Sequence, residues 1–284
     1  RADFPLITDD FKPEPVKLIP GNIQHIARSL TWAEGSLTDE QNPVHQQKVT
    51  NFLDELLDNS HIPVIGLTGT GGAGKSCLMD ELVRSFITEF QDKRVAIVSI
   101  DPSKRKTGGA LLGDRLRMNS IHDQRVYMRS LATRRSHLAT SASLDSSVKL
   151  LRASGFDLIL VETAGIGQSD SEISDLVDFS IYVMTPEYGA ETQLEKINMI
   201  DFADCIVINK FDKPGAEDAL RAVRKQYCRS HLDFDAHPES LPVFGVVANR
   251  FNDVGTKWFY YKLIELLIQT KGLNWKRSQN GDFA

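Results

Sequence analysis

The residues best suited to chemistry in this chain form a glycine-rich run that ends in a lysine and a serine. The run occupies 69–76, matches the pattern GxxxxGK[ST] and follows an apolar stretch at 62–68. Glycines let successive backbone N–H groups turn towards a phosphate, and a helix that begins there adds the positive end of its dipole. Lys75 can bring charge to the terminal phosphates, and the Ser76 hydroxyl can ligate Mg²⁺. The pattern predicts nucleoside-triphosphate binding rather than a turn that only links a strand to a helix.

A second motif, at the end of a later predicted strand, can select the base. It consists of Asn209, Lys210, Phe211 and Asp212. A carboxylate in the last position accepts hydrogen bonds from guanine N1–H and the 2-amino group, whereas adenine offers neither and leaves the charge unpaired. Such a tetrad alone is often a solvated turn, but together with the phosphate motif it predicts GTP in preference to ATP. The backbone at Ala248, ending the last predicted strand, is a further candidate contact to guanine.

Carboxylates that end two predicted strands are candidates for a metal site. Glu162 leads into a Thr-Ala-Gly turn, whose Gly165 N–H can sense a γ-phosphate. Asp101 ends another strand and Asp114 follows in a glycine-containing loop, so both can reach a metal or its waters in the ligand crevice. A helix cap for Asp101 and an exposed loop acid for Asp114 are the plainer alternatives. Arg117 can neutralise phosphate charge or simply lie on the surface.

Each of these motifs needs a strand that ends where a helix begins. The rest of the chain alternates strand-like and helix-like segments in the same way. Short β-branched runs alternate with longer amphipathic ones, which is typical of a mostly parallel sheet with helices on both faces. We therefore predict an α/β fold of the P-loop NTPase type. The predicted strands are 64–68, 95–100, 158–162, 180–184, 205–209 and 243–248, and the predicted helices are 46–57, 75–89, 126–140, 144–153, 192–199, 216–227 and 256–269.

The two ends of the chain differ from its middle. Prolines punctuate 1–42, and because this segment lacks sustained periodicity we expect a linker or an N-terminal arm packed on a neighbour. One P-loop GTPase domain is expected at 43–271, followed by a C-terminal tail or linker at 272–284. The predicted helix 126–140 places several arginines on one face, most simply a solvated one; the cluster is Arg125, Arg129, Arg134 and Arg135.

Composition narrows the class of protein. The 284 residues include 33 basic and 38 acidic side chains, a net charge of −5, which argues against a surface built for nucleic acid. Cys77, Cys205 and Cys228 are far apart and odd in number, so we expect reduced thiols rather than a disulfide framework. No apolar stretch reaches the ~18 residues needed to cross a bilayer, and no signal peptide is seen. We expect a cytoplasmic protein whose partners include neither nucleic acid nor a membrane.

Four blocks of sequence together resemble the MeaB/ArgK-type P-loop GTPases; they are 99–103, 108–117, 161–170 and 209–212. The resemblance implies a G-protein chaperone that uses GTP to gate the loading of adenosylcobalamin into an acyl-CoA mutase and the removal of inactivated cofactor. The segments 188–196 and 209–212 are similar to the GTPase domain inside the fused isobutyryl-CoA mutases, which lies between a cobalamin-binding domain and a mutase domain. The mutase partner would then be on the same polypeptide or a separate subunit. A start without Met suits an excised middle section.

Carried over by position, the resemblance gives the motif residues their roles. Magnesium would be held by Ser76, Asp101, Asp114 and Glu162. Cobalamin-binding domains carry Asp-x-His-x-x-Gly, but Ser240 stands where that Gly is required after His237, so adenosylcobalamin is expected only through partner domains. The full set expected to bind GTP or GDP is Gly71, Gly72, Ala73, Gly74, Lys75, Ser76, Cys77, Arg117, Gly165, Asn209, Lys210, Phe211, Asp212 and Ala248.

Hydrolysis by the isolated chain is expected to be slow. Phosphoryl transfer to water needs positioning and charge neutralisation, for which the catalytic candidates are Lys75, Glu162 and Asp101, the last two also as water-orienting groups. Many small GTPases place a water-orienting Gln directly after the Asp-x-x-Gly turn, but Ile166 stands there and Gln168 follows later. We expect a homodimer, and a partner or second protomer that accelerates hydrolysis by ordering the switch segments. Those segments are 101–117, 162–170 and 186–196.

Other classes of protein share the same phosphate motif. A nickel- or cobalt-insertion GTPase needs grouped thiolate or imidazole ligands, and the seven histidines and three cysteines form no Cys-x-x-Cys or His-rich tract. A small-molecule or protein kinase stays open, because motif content does not separate it from a hydrolase. A non-enzymatic scaffold would tolerate the loss of Lys75.

Overall fold

A parallel sheet organises the part of the chain that the structure describes. This computed structural model describes residues 11–38, 43–56, 59–102, 118–133, 137–163, 173–189, 200–232 and 237–276, with the backbone alone at 37–38, 101–102, 132–133 and 137–141. Within these ranges seven strands, all parallel, pair in the order β3-β2-β4-β1-β5-β6-β7. The strands are β1 (Val64–Gly69), β2 (Val95–Pro102), β3 (Val126–Thr133), β4 (Leu158–Thr163), β5 (Phe179–Met184), β6 (Cys205–Asn209) and β7 (Val243–Val246).

Helices cover both faces of this sheet. Side chains alternate between the two faces along each strand, as period-two geometry requires. One face meets α3 and α6, with Phe86 and Phe259 fully buried between helices and sheet. The other face meets α1, α2 and α4 on one half and α5 on the other half. The helices are α1 (Ile23–Thr38), α2 (Pro43–Asp54), α3 (Lys75–Glu89), α4 (His137–Ala153), α5 (Ala216–Ser230) and α6 (Val254–Lys271).

Strand order places the predicted motifs at one edge of the sheet. The chain leaves β1 for β2 to β4 on one side and then crosses to β5 to β7 on the other side. Parallel α/β sheets bind ligands outside the carboxyl ends of their strands, where the direction of winding reverses. The carboxyl ends of β1, β4 and β6 carry the phosphate motif, Glu162 and the base-selecting motif respectively. The fold thus confirms the predicted α/β class and brings these motifs to a common edge.

The predicted helix 126–140 is wrong, and so is the arginine face assigned to it. Residues 126–133 form the outermost described strand, β3, while α4 begins at His137. Arg125 donates to Asp123 and to the carbonyl oxygens of Ile87 and Gln91, whereas Arg129 pairs with Glu34 of α1. These two side chains therefore join separate elements instead of forming one solvated face; Arg134 and Arg135 lie outside the described residues.

Residues 1–42, expected to be a linker or an N-terminal arm, include helix α1, whose periodicity the sequence analysis did not detect. Its apolar positions Ile26, Leu30 and Ala33 recur at helical spacing and are almost completely buried. They belong to the same core cluster as β2 and α4. The prolines at 13, 15 and 20 precede this helix, so they do not interrupt it. No helix in the described ranges is long and apolar enough to cross a membrane.

Candidate nucleotide-binding site

The glycine-rich run forms a tight loop between β1 and α3. Gly72 and Gly74 have φ angles of 74° and 89°, which favour glycine because side chains of L-residues are strained there. Gly74 caps α3, and its carbonyl accepts a hydrogen bond from Leu78 N. The loop therefore brings the backbone N–H groups of the first turn of α3, including those of Lys75, Ser76 and Cys77, to the end of β1. This geometry fits an anion at the start of a helix.

The Lys75 side chain folds back along the glycine-rich loop. Its ammonium donates hydrogen bonds to the carbonyl oxygens of Gly69, at 3.0 Å, and Thr70, at 3.2 Å. The side chain is only 7% exposed, so its charge is held in a poorly solvated position. Such a charge attracts phosphate oxygens more strongly than a fully solvated one does. The geometry fits the predicted contact between Lys75 and the terminal phosphates.

Glu162 and Ser76 meet at the head of the loop. The Ser76 hydroxyl donates to Glu162 Oε1 at 2.7 Å, and Glu162 is buried at the end of β4. A hydroxyl and a carboxylate are oxygen donors of the kind that Mg²⁺ prefers, and they stand beside the predicted phosphate site. These two residues therefore fit the metal, which would neutralise phosphate charge when bound.

Four of the predicted site residues cannot be placed in this geometry. Asp114, Arg117 and Gly165 lie outside the described residues, as do Ile166 and Gln168. Asp101 is in β2, where only its backbone is described. The magnesium role predicted for Asp101 and Asp114, the catalytic role of Asp101 and the nucleotide contacts of Arg117 and Gly165 remain predictions.

Asn209 links the phosphate loop to the loop at Ala248, which follows β7. Its Nδ2 donates to the Ala73 carbonyl at 2.8 Å, and its Oδ1 accepts from Ala248 N at 3.0 Å and from Lys210 N at 2.8 Å. The side chain is 3% exposed, so these bonds are protected from water. Gly74 is required beside it, because a Cβ there would lie 2.4 Å from Asn209 Nδ2. One amide group thus joins two segments that are far apart in sequence.

Lys210 and Phe211 shape the turn that presents Asp212. Lys210 adopts a φ of 58°, and its ammonium donates to the Gly72 carbonyl at 2.8 Å. The Phe211 ring packs on Gly245 so closely that a Cβ at 245 would lie 2.5 Å from it. Asp212 is left exposed on the turn, with its carboxylate accessible to a base. The turn is linked to Ala248 through Asn209 Oδ1, and the contacts of these residues with guanine remain predictions.

The third predicted switch begins against the same turn. Lys213, next to Asp212, donates to Glu187 at 2.5 Å, and Glu187 lies in the short 3₁₀ helix Pro186–Tyr188. The hydrogen bond from Lys213, with a further one from Thr185, lowers the pKa of Glu187 to about 2. Gly189 then packs on α5, where a Cβ would lie 2.5 Å from the Ala219 Cβ. Residues 190–196 of this segment lie outside the described residues.

The sequence analysis did not single out Asp253, which contacts the loop next to the turn 209–212. Its carboxylate accepts a hydrogen bond from Val247 N and also caps α6 by accepting from Thr256 N. The signal in the sequence is an Asp followed three residues later by Thr at the start of a helix, which predicts a cap. That signal alone does not reveal the bond to Val247, which depends on how α6 approaches β7.

Comparison with known proteins identifies the family. The model of the methylmalonyl-CoA mutase-associated GTPase MeaB family matches residues 26–274. A fused isobutyryl-CoA mutase from Geobacillus kaustophilus is 49% identical over 98% of this chain and 26% of its own length. One from Paraburkholderia xenovorans is 54% identical over 90% of this chain and 20% of its own length. The chain thus spans a fifth to a quarter of these relatives.

Solved structures agree on the fold. A crystal structure of the LAO/AO transport system kinase superposes with a TM-score of 0.61 and 25% identity, over 91% of this chain and 76% of the other. HypB from Helicobacter pylori, in complex with nickel, superposes with a TM-score of 0.54 and 16% identity, over 84% and 99%. The second likeness extends to the fold alone. With its phosphate loop, base-selecting turn and family match taken together, the chain belongs to the MeaB family of mutase-associated GTPases.

Proposed function

We propose that this chain hydrolyses GTP with Mg²⁺ and acts as a G-protein chaperone that gates adenosylcobalamin loading and the removal of inactivated cofactor in an acyl-CoA mutase. The observation that carries the proposal is the Asn209 side chain, which joins Ala73 of the phosphate loop to Ala248 in the loop after β7. Recognition of the base and of the phosphates is thereby built into one hydrogen-bonded unit.

The residues of the site divide the work of binding and hydrolysis. Asp212 pairs with guanine, and backbone N–H groups at the start of α3 hold the phosphates. Lys75 offsets the charge that develops on them in the transition state, while Ser76 and Glu162 hold Mg²⁺. Asp101 and Asp114 complete the metal set in this proposal.

The mutase is proposed as the partner because the relatives in the comparison are fused isobutyryl-CoA mutases and this chain corresponds to only a part of them. The domain expected at 43–271 would extend to include α1, since that helix packs into the core. We also propose that the chain functions as a homodimer. Adenosylcobalamin would be bound by partner domains.

Single-turnover hydrolysis with and without the mutase tests the proposal. The isolated chain should hydrolyse GTP slowly, and the mutase should accelerate it by ordering the switch segments. Equal and fast rates in both conditions would contradict the chaperone role. Lys75→Ala should abolish hydrolysis. If this variant instead binds nucleotide fully and acts on the mutase as the wild type does, the chain is a scaffold.

The fate of the γ-phosphate separates hydrolysis from the kinase alternative. Radiolabelled γ-phosphate should appear as inorganic phosphate, with or without the mutase present. Label on a protein or small molecule would instead indicate transfer to an acceptor.

The third switch is proposed to relay the state of the nucleotide to the mutase. Its first residues contact the base-selecting turn through the Glu187–Lys213 ion pair. Gln193→Ala combined with Lys196→Ala should reduce stimulation by the mutase without removing GTP binding. Unchanged stimulation would exclude the relay.

A further inference from the structure

One carboxylate oxygen at the start of α6 makes three hydrogen bonds. Asp253 Oδ2 accepts from Val247 N at 3.0 Å, from Thr256 N at 2.8 Å and from the Thr256 hydroxyl at 2.9 Å. The bonds to Thr256 cap the helix, as a favourable residue at this position should do. The bond to Val247 is different, because it leaves the helix and holds the backbone of the loop 247–250.

Close backbone packing brings Asp253 to this loop. A Cβ at Gly255 would lie 2.3 Å from the Gly245 carbonyl oxygen, so α6 approaches the end of β7 more closely than any larger residue would allow. Gly245 in turn supports the Phe211 ring of the base-selecting turn. The start of α6, the end of β7 and this turn therefore form one tightly packed unit.

The loop held by Asp253 is the one that Asn209 contacts. Val247 N bonds to Asp253, and the next amide, Ala248 N, bonds to Asn209 Oδ1. Arg250 N closes the loop on the Val247 carbonyl at 2.9 Å. Two side chains from different elements thus fix successive backbone amides beside the base-selecting turn, and Val247 and Ala248 are both buried.

We propose that Asp253 is a positioning residue for guanine recognition, acting through the loop 247–250. Asp212 distinguishes guanine by its N1–H and 2-amino groups, but neither group reports on the 6-oxo oxygen, which is an acceptor. The N–H groups of Val247, Ala248 and Arg250 are engaged as described, so the Asn249 N–H supplies the matching donor, and Asp253 holds the loop at the correct place. The inference rests on the guanine binding proposed above and adds a second basis for selectivity.

Nucleotide affinities measured with two ligands test this role. GDP and 6-thio-GDP share the groups that Asp212 contacts, but sulfur is a poor acceptor in place of the 6-oxo oxygen. Asp253→Ala should weaken GDP binding about tenfold, the size expected when one hydrogen-bonded contact is lost, and should weaken 6-thio-GDP binding about twofold or less. Equal weakening of both ligands, or of neither, would overturn the inference.

Two further variants separate the loop contact from the cap. Asp253→Asn can place its amide oxygen where Oδ2 lies, so it should restore GDP affinity to within about twofold of the wild type. Asp253→Ser keeps a capping oxygen on a shorter side chain, so it should fold even if the alanine variant does not, yet lose the preference for GDP. Retention of that preference by the serine variant would contradict the proposal.

Asp204 provides a matched control at the other end of the sheet. Its Oδ2 likewise accepts from one backbone N–H and one hydroxyl, both of Ser180, at 2.7 and 2.8 Å. Asp204→Ala should lower stability but leave the ratio of GDP to 6-thio-GDP affinity unchanged. A similar loss of preference in this variant would mean that the ratio reports only on stability. Wild-type protein that fails to bind GDP would refute the proposed function itself, which is a distinct outcome.

Discussion

The side chains of Lys75 and Ser76, at the start of α3, are held by hydrogen bonds close to the proposed phosphate and metal sites. Lys75 donates to two carbonyl oxygens, and Ser76 donates to Glu162. These bonds fix the side chains near their proposed ligands, which reduces the entropy lost on binding. At the residue scale, these side chains are therefore already positioned before a ligand binds.

Replacing the Glu162 carboxylate should weaken the binding of the Mg²⁺ that GTP hydrolysis requires. Glu162→Gln keeps the size of the side chain but removes the negative charge that attracts the metal. We expect the Mg²⁺ concentration for half-maximal GTP hydrolysis to rise about tenfold. Glu81→Gln, which changes a carboxylate paired with Arg84 on α3, is the control and should leave it unchanged. An unaltered magnesium requirement in Glu162→Gln would contradict the assigned role.

The pKa of Glu187 reports on the contact between the third switch and the base-selecting turn. The contact with Lys213 holds this pKa at about 2 instead of 4.5. Because the folded-state pKa is lowered, the pair stabilises the fold above pH 4.5, and this contribution is lost as pH falls towards 2. Lys213→Ala should raise the pKa towards 4.5, as measured by NMR titration of the carboxyl carbon. Lys149→Ala, which removes a half-exposed lysine paired with Asp145 on α4, is the control. A pKa that stays near 2 without Lys213 would show that the pair does not exist in solution.

At the scale of elements, local motifs were predictable and distant pairings were not. The phosphate loop and α3 followed from glycine spacing and the apolar pattern, and α3 begins and ends where the sequence predicted. Strand β3 was missed because 126–140 was interpreted as one helix, and the pairing of Arg129 with Glu34, 95 residues away, leaves no local signal in the sequence. Helix α1 was missed because neighbouring prolines outweighed its short apolar repeat. Asp253 was missed because its hydrogen bond with Val247 N depends on how α6 approaches β7.

The end of β1 should tolerate no side chain at Gly69. Its φ is 140°, and a Cβ there would lie 1.9 Å from the Val183 carbonyl oxygen of β5. Gly69→Ala should therefore lower the free energy of unfolding by roughly 3 kcal/mol, measured by urea denaturation without nucleotide. Gly71→Ala is the matched control, because nothing lies within 4 Å of a Cβ at that position. Similar stability in both variants would contradict the close approach of β1 and β5.

Helix α1 should contribute to the stability of the whole domain. Leu30 is fully buried among the strands and α4, so Leu30→Ala should lower the free energy of unfolding by about 3 kcal/mol. Ile19→Ala, at a position that is 54% exposed, should change it by less than about 0.5 kcal/mol. Urea denaturation measures both. A negligible effect of Leu30→Ala would support the original expectation that 1–42 is a linker.

For the whole molecule, the sheet brings the phosphate motif, Glu162 and the turn 209–212 to one edge, and Asn209 connects the phosphate loop to the loop at Ala248 directly. The fold class and family could be predicted from the sequence because their motifs are contiguous. The proposed mutase partner could be anticipated only by resemblance, because no motif within the sequence identifies a partner. The chain spans only a fifth to a quarter of the fused mutases to which it is similar.

Isothermal titration calorimetry with GTP and ATP in the presence of magnesium tests the central claim most directly. If Asp212 and the loop 247–250 recognise guanine, GTP should bind at least about 100-fold more tightly than ATP, because adenine leaves the Asp212 carboxylate without its hydrogen-bond donors. Loss of this preference in Asp212→Ala would place the discrimination at that carboxylate. Equal affinity of the wild-type protein for the two nucleotides, or no binding of GTP, would contradict the account.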